Sequence, residues 1–227
     1  IYSRYGYSVD MISGENAKPM RQTYQTPRAR IIFGNDFRDL SVFNFRLGAD
    51  VAYLMDKYNN KELDLKAFGS IGKMLGVHKL SLDVGMDGYW GSGDIDGYSN
   101  TLVYATPGYG IITGKFTLEA AATIAVDAQD GYDSKPWVLP QGLITLNLTK
   151  GALVPFLSVE SRLDNNGFRS MIMRNPYMIY HTLRIGNEEF KPGFFRNGAS
   201  YDFRAGIKGA GGKVIYKVYA GFTMGKN

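Results

Sequence analysis

Residues 115–128, KFTLEAAATIAVDA, alternate from end to end. Phe116, Leu118, Ala120, Ala122, Ile124 and Val126 hold the even positions, while Lys115, Thr117, Glu119, Thr123 and Asp127 stand on the odd ones beside Ala121 and Ala125. A period of two marks a β-strand with one apolar and one polar face. An ordinary globular strand has roughly 5–6 residues, whereas a tilted strand crossing a bilayer needs roughly 9–11. This stretch exceeds both.

The pattern recurs on either side of it. Residues 41–56 set Phe43, Phe45, Leu47, Val51 and Tyr53 against Asn44, Arg46 and Asp50. Residues 61–75 set Leu63, Leu65, Ala67 and Ile71 against Asp64, Lys66 and Ser70, and 78–90 repeat the arrangement. Similar segments cover 28–35, 100–113, 137–149, the residues from 153 onward, 201–208 and 214–224, with a weaker one near 2–10. The count is about eleven strands and no helix. Pro107 argues against full pairing of the sixth strand, and Pro140 and Pro155 are placed near strand ends.

The links between strands alternate in length. Gly76-Val77, Thr113-Gly114, Lys150-Gly151 and Ala210-Gly211 read as two-residue hairpin turns. Residues 11–24, 58–60, 91–99, 129–136 and 165–199 are the longer links, and 36–40 is a medium turn on the tight-turn side. One rim thus has tight turns and the other loops, as in a transmembrane barrel. The turns predict register: Lys66 opposite Asp87, Ile71 opposite Leu82, Ile111 opposite Phe116, Ile144 opposite Leu157, Ile207 opposite Val214 and Phe203 opposite Val218. One misfit follows, Arg204 opposite Lys217, with Asp202 diagonal to both or an anion as the means of offsetting it.

Bulk composition agrees. The 227 residues include 28 Gly, 16 Tyr and 13 Phe, a strand-and-turn composition. A net charge of +5 is spread along the chain, which gives no nucleic-acid signature. No apolar run approaches the roughly 18 residues of a membrane helix. Mean hydropathy of −0.19 does not oppose a membrane barrel, where only alternate residues meet lipid. Without cysteine there is neither disulfide nor thiolate ligation. The chain begins at Ile1 without Met or signal peptide, so a processed or partial chain is expected. An odd strand count ending at the long-loop rim also implies a larger, even-numbered barrel.

Alternation alone does not say which face is wet. A soluble sandwich or lipocalin-like barrel turns the apolar face inward, and an outer-membrane barrel turns it outward. Long strands favour the second. So do aromatic residues at both ends of the apolar face: Tyr53, Trp90, Tyr201 and Phe222 near the loops, Phe33, Phe43, Phe116 and Tyr216 near the tight turns. The polar face carries both signs of charge. Arg46, Asp50, Lys66, Asp87, Glu119, Glu160, Arg162, Arg204 and Lys217 are the candidate lumen-facing residues.

In this texture the chain resembles bacterial outer-membrane β-barrel proteins. Residues 175–209, NPYMIYHTLRIGNEEFKPGFFRNGASYDFRAGIKG, and 214–227, VIYKVYAGFTMGKN, resemble late strands in the barrel region of TonB-dependent receptor-like proteins. The resemblance implies an all-β, antiparallel up-and-down transmembrane barrel in the bacterial outer membrane. It implies lipid as a partner and a transporter or receptor role in uptake of a small-molecule, peptide or glycan solute. The alternative is a structural or assembly subunit bound to a surface lipoprotein or other outer-membrane proteins.

Chemistry is sparse. His78 flanks a turn and His181 lies in the longest link, so neither a zinc site nor a His-based triad is expected, and the chain reads as a non-enzyme. No cofactor is expected beyond calcium. Asp94 and Asp96 in one link, and Asp127, Asp130 and Asp133 at the next, offer the oxygen donors that Ca²⁺ takes, although the favoured reading is ordinary solvated Asp-Gly turns. The 165–199 link is long for a structureless loop. Its Phe168, Arg169, Arg174, Tyr177, Tyr180 and Arg184 are candidate ligand- or partner-binding residues, since aromatics and Arg favour such surfaces. The competing reading is that much of the link extends the ninth and tenth strands above the membrane, packing on itself.

Overall fold

The computed structural model describes residues 23–35, 42–57, 59–149, 151–164, 166–174, 183–185, 188–190, 197–211 and 214–226. The expected strand near 2–10, the 36–40 turn, His181, Tyr177 and Tyr180 lie outside the described residues.

In chain order the elements are β1 (Tyr24–Gln25), β2 (Arg28–Gly34), β3 (Asn44–Asp56), β4 (Asn60–Leu75), β5 (His78–Gly93), β6 (Ser99–Ile112), β7 (Phe116–Gln129), β8 (Lys135–Leu146) and β9 (Val154–Asp164). After these come α1 (Phe168–Arg174), β10 (Leu183–Ile185), β11 (Glu188–Phe190), β12 (Gly198–Gly211) and β13 (Val214–Lys226). One antiparallel sheet of 11 strands runs β1-β3-β4-β5-β6-β7-β8-β9-β12-β13, with β2 also on β3, while β10 and β11 form a separate hairpin. Among the described residues β2 and β13 do not pair, so the sheet is open.

The faces divide as the alternation requires. Ile31, Val103, Ile124, Val138, Leu157 and Val218 project outward and are exposed, Ile31 by 74% and Val138 by 65%. The polar face lies on the inside of a curl tight enough for Arg30 of β2 and Arg162 of β9 to line one cavity. Curvature is helped where glycine faces an aromatic ring across the strands. Gly85 opposes Tyr104, and a Cβ on Gly85 would come within 2.4 Å of the Tyr104 hydroxyl. The ring fills space that any side chain at 85 would claim.

Two hairpins have the expected register: Lys66 pairs Asp87 and Ile71 pairs Leu82, and Ile144 pairs Leu157. Gly76 has the positive φ (65°) that a first turn residue of this kind needs. Two others are shifted. Ile111 meets Leu118 rather than Phe116, and Val103 meets Val126. The turn residues are Gly114-Lys115, because the Thr113 hydroxyl accepts the N–H groups of Lys115 (3.3 Å) and Phe116 (3.0 Å) and sets the corner one residue later. Likewise Ile207 meets Val218, Phe203 meets Phe222, and Gly211 meets Val214. This register stacks Phe203 on Phe222 at 4.9 Å. It sets Gly221 opposite Arg204 and moves the like-charge pair to Lys208 and Lys217.

The prolines act as ladder breaks. β6 continues through Pro107, which pairs Leu82 on one side, but the ladder to β7 skips Thr106 and Pro107. A Thr106–Thr123 hydroxyl contact of 2.7 Å bridges the gap. Pro140 lies within β8, not near its end, and the β8–β9 ladder runs only from Gly142↔Val159 to Thr145↔Phe156. Proline has no N–H to donate there. Past the break the Ser161 hydroxyl donates to the Pro140 carbonyl at 2.5 Å. Tyr201, expected in the outward aromatic girdle, packs instead with Leu163 against the inward cluster of Leu102, Ala125, Trp137, Leu139 and Ala199.

Gly85→Val should cost about 1–3 kcal/mol through overpacking against Tyr104, read as a lower urea midpoint. Combining it with Tyr104→Ala should recover most of that loss. Equal midpoints for wild type and Gly85→Val would show that the ring does not occupy the glycine's space.

Candidate functional site: the polar inner face

The 165–199 link contains a helix where only a loop is expected, and the helix is turned into the polar concavity at the long-loop rim. A helix start leaves backbone N–H groups without intrahelical acceptors. Gly167 precedes α1 and has no side chain to cap them. The cap comes from β4: the Glu62 carboxylate, 0% exposed, accepts the N–H of Phe168 at 2.5 Å and of Arg169 at 2.9 Å. The Arg169 guanidinium then donates to Asp64 at 2.8 Å. Gly167 lies flat on the Tyr89 ring, where a Cβ would approach within 2.5 Å. Phe168, Met171 and Ile172 are buried with Tyr24, Leu54 and Ile95.

Both ends of the segment are fastened at one place. Tyr98 donates its hydroxyl to the Asn166 carbonyl, and Asn100 Nδ2 reaches the same oxygen at 3.2 Å. Asn197, fully buried, exchanges amide hydrogen bonds with Asn100 (2.9 and 2.8 Å). Its Oδ1 also accepts the Asn166 N–H at 2.8 Å, its Nδ2 donates to Asp127 at 2.7 Å, and its own N–H donates to Gln129 at 3.0 Å. Buried amides satisfied this completely act as a rivet.

Below this level the inner face is charged. Arg28 holds Asp50 through two donors, one at 2.7 Å, with Arg30 at 3.8 Å from the same carboxylate. Lys66 pairs Asp87 at 3.0 Å. Arg30 and Arg46 flank the Phe68 ring at 5.9 and 5.8 Å. Of these groups Arg30, Arg46, Phe68 and Asp87 border a cavity of about 580 Å³ shared with Arg162 and Gln141. Toward the tight-turn rim a second cavity, of about 410 Å³, contains Glu119, Glu160 and Lys217. There Lys79 pairs Glu119 at 2.7 Å, and Arg204 reaches Glu160 at 3.3 Å and Asp202 at 3.0 Å.

The nine charges expected to face a lumen lie on this concave face. Asp202 does pair with Arg204, but the opposition of Arg204 to Lys217 that it is expected to offset is absent, since Gly221 stands opposite Arg204. The loop candidates divide. Phe168 is 1% exposed and is core, not a binding surface. Arg169 holds the helix in place through Asp64, and Arg174 donates to Asn166 at 3.3 Å. Arg184 lies in the small hairpin, opposite Glu189. Asp94 and Asp96 lie in the turn after β5, Asp130 opens the turn after β7 with Asp133 just past it, and Asp127 is buried on Asn197. Among the described residues no three His, Cys, Asp or Glu side chains gather to hold a metal ion. Glu62, Asn100, Asn166 and Asn197 were not singled out by sequence. The available signal was Glu62 and Asp64 on one strand face at the rim of an Arg-bearing link.

Comparison with family models, with curated proteins and with solved structures finds no match.

Glu62→Ala should free the Phe168 and Arg169 amides, raising their hydrogen exchange roughly ten- to a hundred-fold, since an unsatisfied buried group costs about 1–3 kcal/mol. Glu62→Gln, which keeps one acceptor, should fall between. Unchanged exchange in Glu62→Ala would mean that the helix is held by packing alone.

Proposed function

We propose that this chain forms the wall of a bacterial outer-membrane β-barrel serving solute uptake, with α1 (Phe168–Arg174) filling its upper interior at the long-loop rim. The supporting observation is the exposed apolar outer face. Ile31, Leu47, Val84, Val103, Ile124, Val138, Leu157 and Val218 all face outward across successive strands with no second layer over them among the described residues. Burying one such side chain is worth about 1.5–3 kcal/mol, and soluble monomers rarely expose contiguous apolar patches above a few hundred Å². Hydrocarbon is the medium that fits. Strands of 12–16 residues, such as β8 and β4, cover the roughly 9–11 that a tilted crossing needs.

In a bilayer no sheet edge stays unpaired. On this reading the edges at β2 and β13 are closed by further strands, and the described sheet is part of a larger even-numbered barrel. The paired charges inside are the wet lining. A second reading, a filled barrel acting as a structural or assembly subunit, draws on the buried helix and asparagine rivet, which leave the upper interior packed rather than open.

Cysteine substitutions separate lipid from water. Val103→Cys and Val138→Cys in proteoliposomes should resist a membrane-impermeant maleimide and be quenched by lipid-borne spin labels, whereas Ser81→Cys should react. Fast labelling of the two outward positions would refute the membrane reading. In planar bilayers, Glu62→Ala should conduct more than wild type if α1, which Glu62 caps, is a gate. Silence from both, with other outer-membrane proteins co-purifying, would favour the subunit reading.

A further inference from the structure

The lower cavity contains a charge arrangement that the strands do not resolve by themselves. Lys208 and Lys217 are direct cross-strand partners, so both side chains leave the same face, and like charges directly opposed weaken a sheet. Among the described residues neither ammonium has a carboxylate within ion-pair distance. Both stand over one ring: Lys208 Nζ is 5.8 Å and Lys217 Nζ 5.2 Å from the Phe156 centroid, with Tyr219 5.3 Å from Lys217. An aromatic face attracts a cation but does not neutralise it.

Two of the three carboxylates that line the same cavity are held in ion pairs, and none of the three pairs with Lys208 or Lys217. Glu119 is held by Lys79 at 2.7 Å, and Glu160 by Arg204 at 3.3 Å. Asp83, across the cavity on β5, accepts the Ser70 hydroxyl at 2.5 Å. The two lysines are left facing the open part of a space of about 410 Å³ that Ser158 also lines, a volume within the range of small-molecule sites.

The geometry points to a binding site for a small oxyanion, a phosphate or carboxylate group, gripped between Lys208 and Lys217 above Phe156. Two ammonium groups supply up to six N–H donors without a fixed fork, which suits a compact oxyanion. The anion would relieve the like-charge opposition, so binding and fold stability are coupled. The site follows from register and does not depend on the sheet lying in a membrane. If the barrel reading holds, it names the solute class as anionic.

The test is titration of the full chain, in detergent and phosphate-free buffer, with inorganic phosphate, followed by calorimetry and by thermal unfolding. Saturable binding with a rise in wild-type unfolding temperature is expected. Lys217→Met and Lys208→Met should each weaken binding at least tenfold and abolish the thermal shift, while unfolding no earlier than wild type without phosphate because the opposition is gone. Lys73→Met, a loss of the same charge elsewhere, should bind as wild type does. Absence of saturable binding would overturn the site, as would equal weakening in Lys73→Met and Lys217→Met, which would mark general charge screening. Neither result bears on membrane insertion, which the cysteine labelling reads separately.

Discussion

A side chain on a strand has two directions to choose from, and an antiparallel ladder makes neighbouring strands choose together. The rest of this structure depends on that constraint. From β3 through β9 and on to β13, pairing carries the apolar set to the outside, Val103 beside Val126 and Ile144 beside Leu157. The charged set is carried inward. Once the sheet curls, inward charges from strands far apart in sequence share cavities. Their pairings (Lys66 with Asp87, Lys79 with Glu119) are contacts between strands on the concave face.

A polar interior also explains how the chain accommodates a helix that lacks a cap of its own. The first N–H groups of α1 are satisfied by Glu62, 106 residues away from Phe168. That carboxylate would be costly to bury without such donors. Each group removes the other's penalty, and the adjoining Asp64–Arg169 pair and the Asn100–Asn197 exchange extend the same logic around the mouth. The segment is thus tied to the wall by polar contacts at its start, at its helix and at its return, with an apolar cluster beneath.

The registers show where alternation stops being informative. The β6–β7 turn is displaced by one residue and the β12–β13 turn by two, so their registers change by two and four. Even changes keep every side chain on its face. Hydrophobic pattern cannot distinguish them, and the choice falls to local chemistry: the Thr113 hydroxyl at one corner, Phe203 stacked on Phe222 at the other. The second choice also brings Lys208 and Lys217 face to face.

Sequence alone determined the long strands from β2 to β9 with β12 and β13, their order, the rims of short and long connections, and the two faces, because a period of two is local and needs no partner to be read; it missed β1, α1, β10 and β11. It also placed Arg46, Asp50, Lys66, Asp87 and Arg204 on a common face. Only the tertiary structure decided that this face is the inside of the curl and that Tyr201 joins it. It also decided that Phe168 is buried rather than offered to a ligand, and that Glu62 and Asn197 hold the chain at the long-loop rim. Those outcomes rest on contacts between residues far apart in the chain, and such contacts exist only after the sheet has curved.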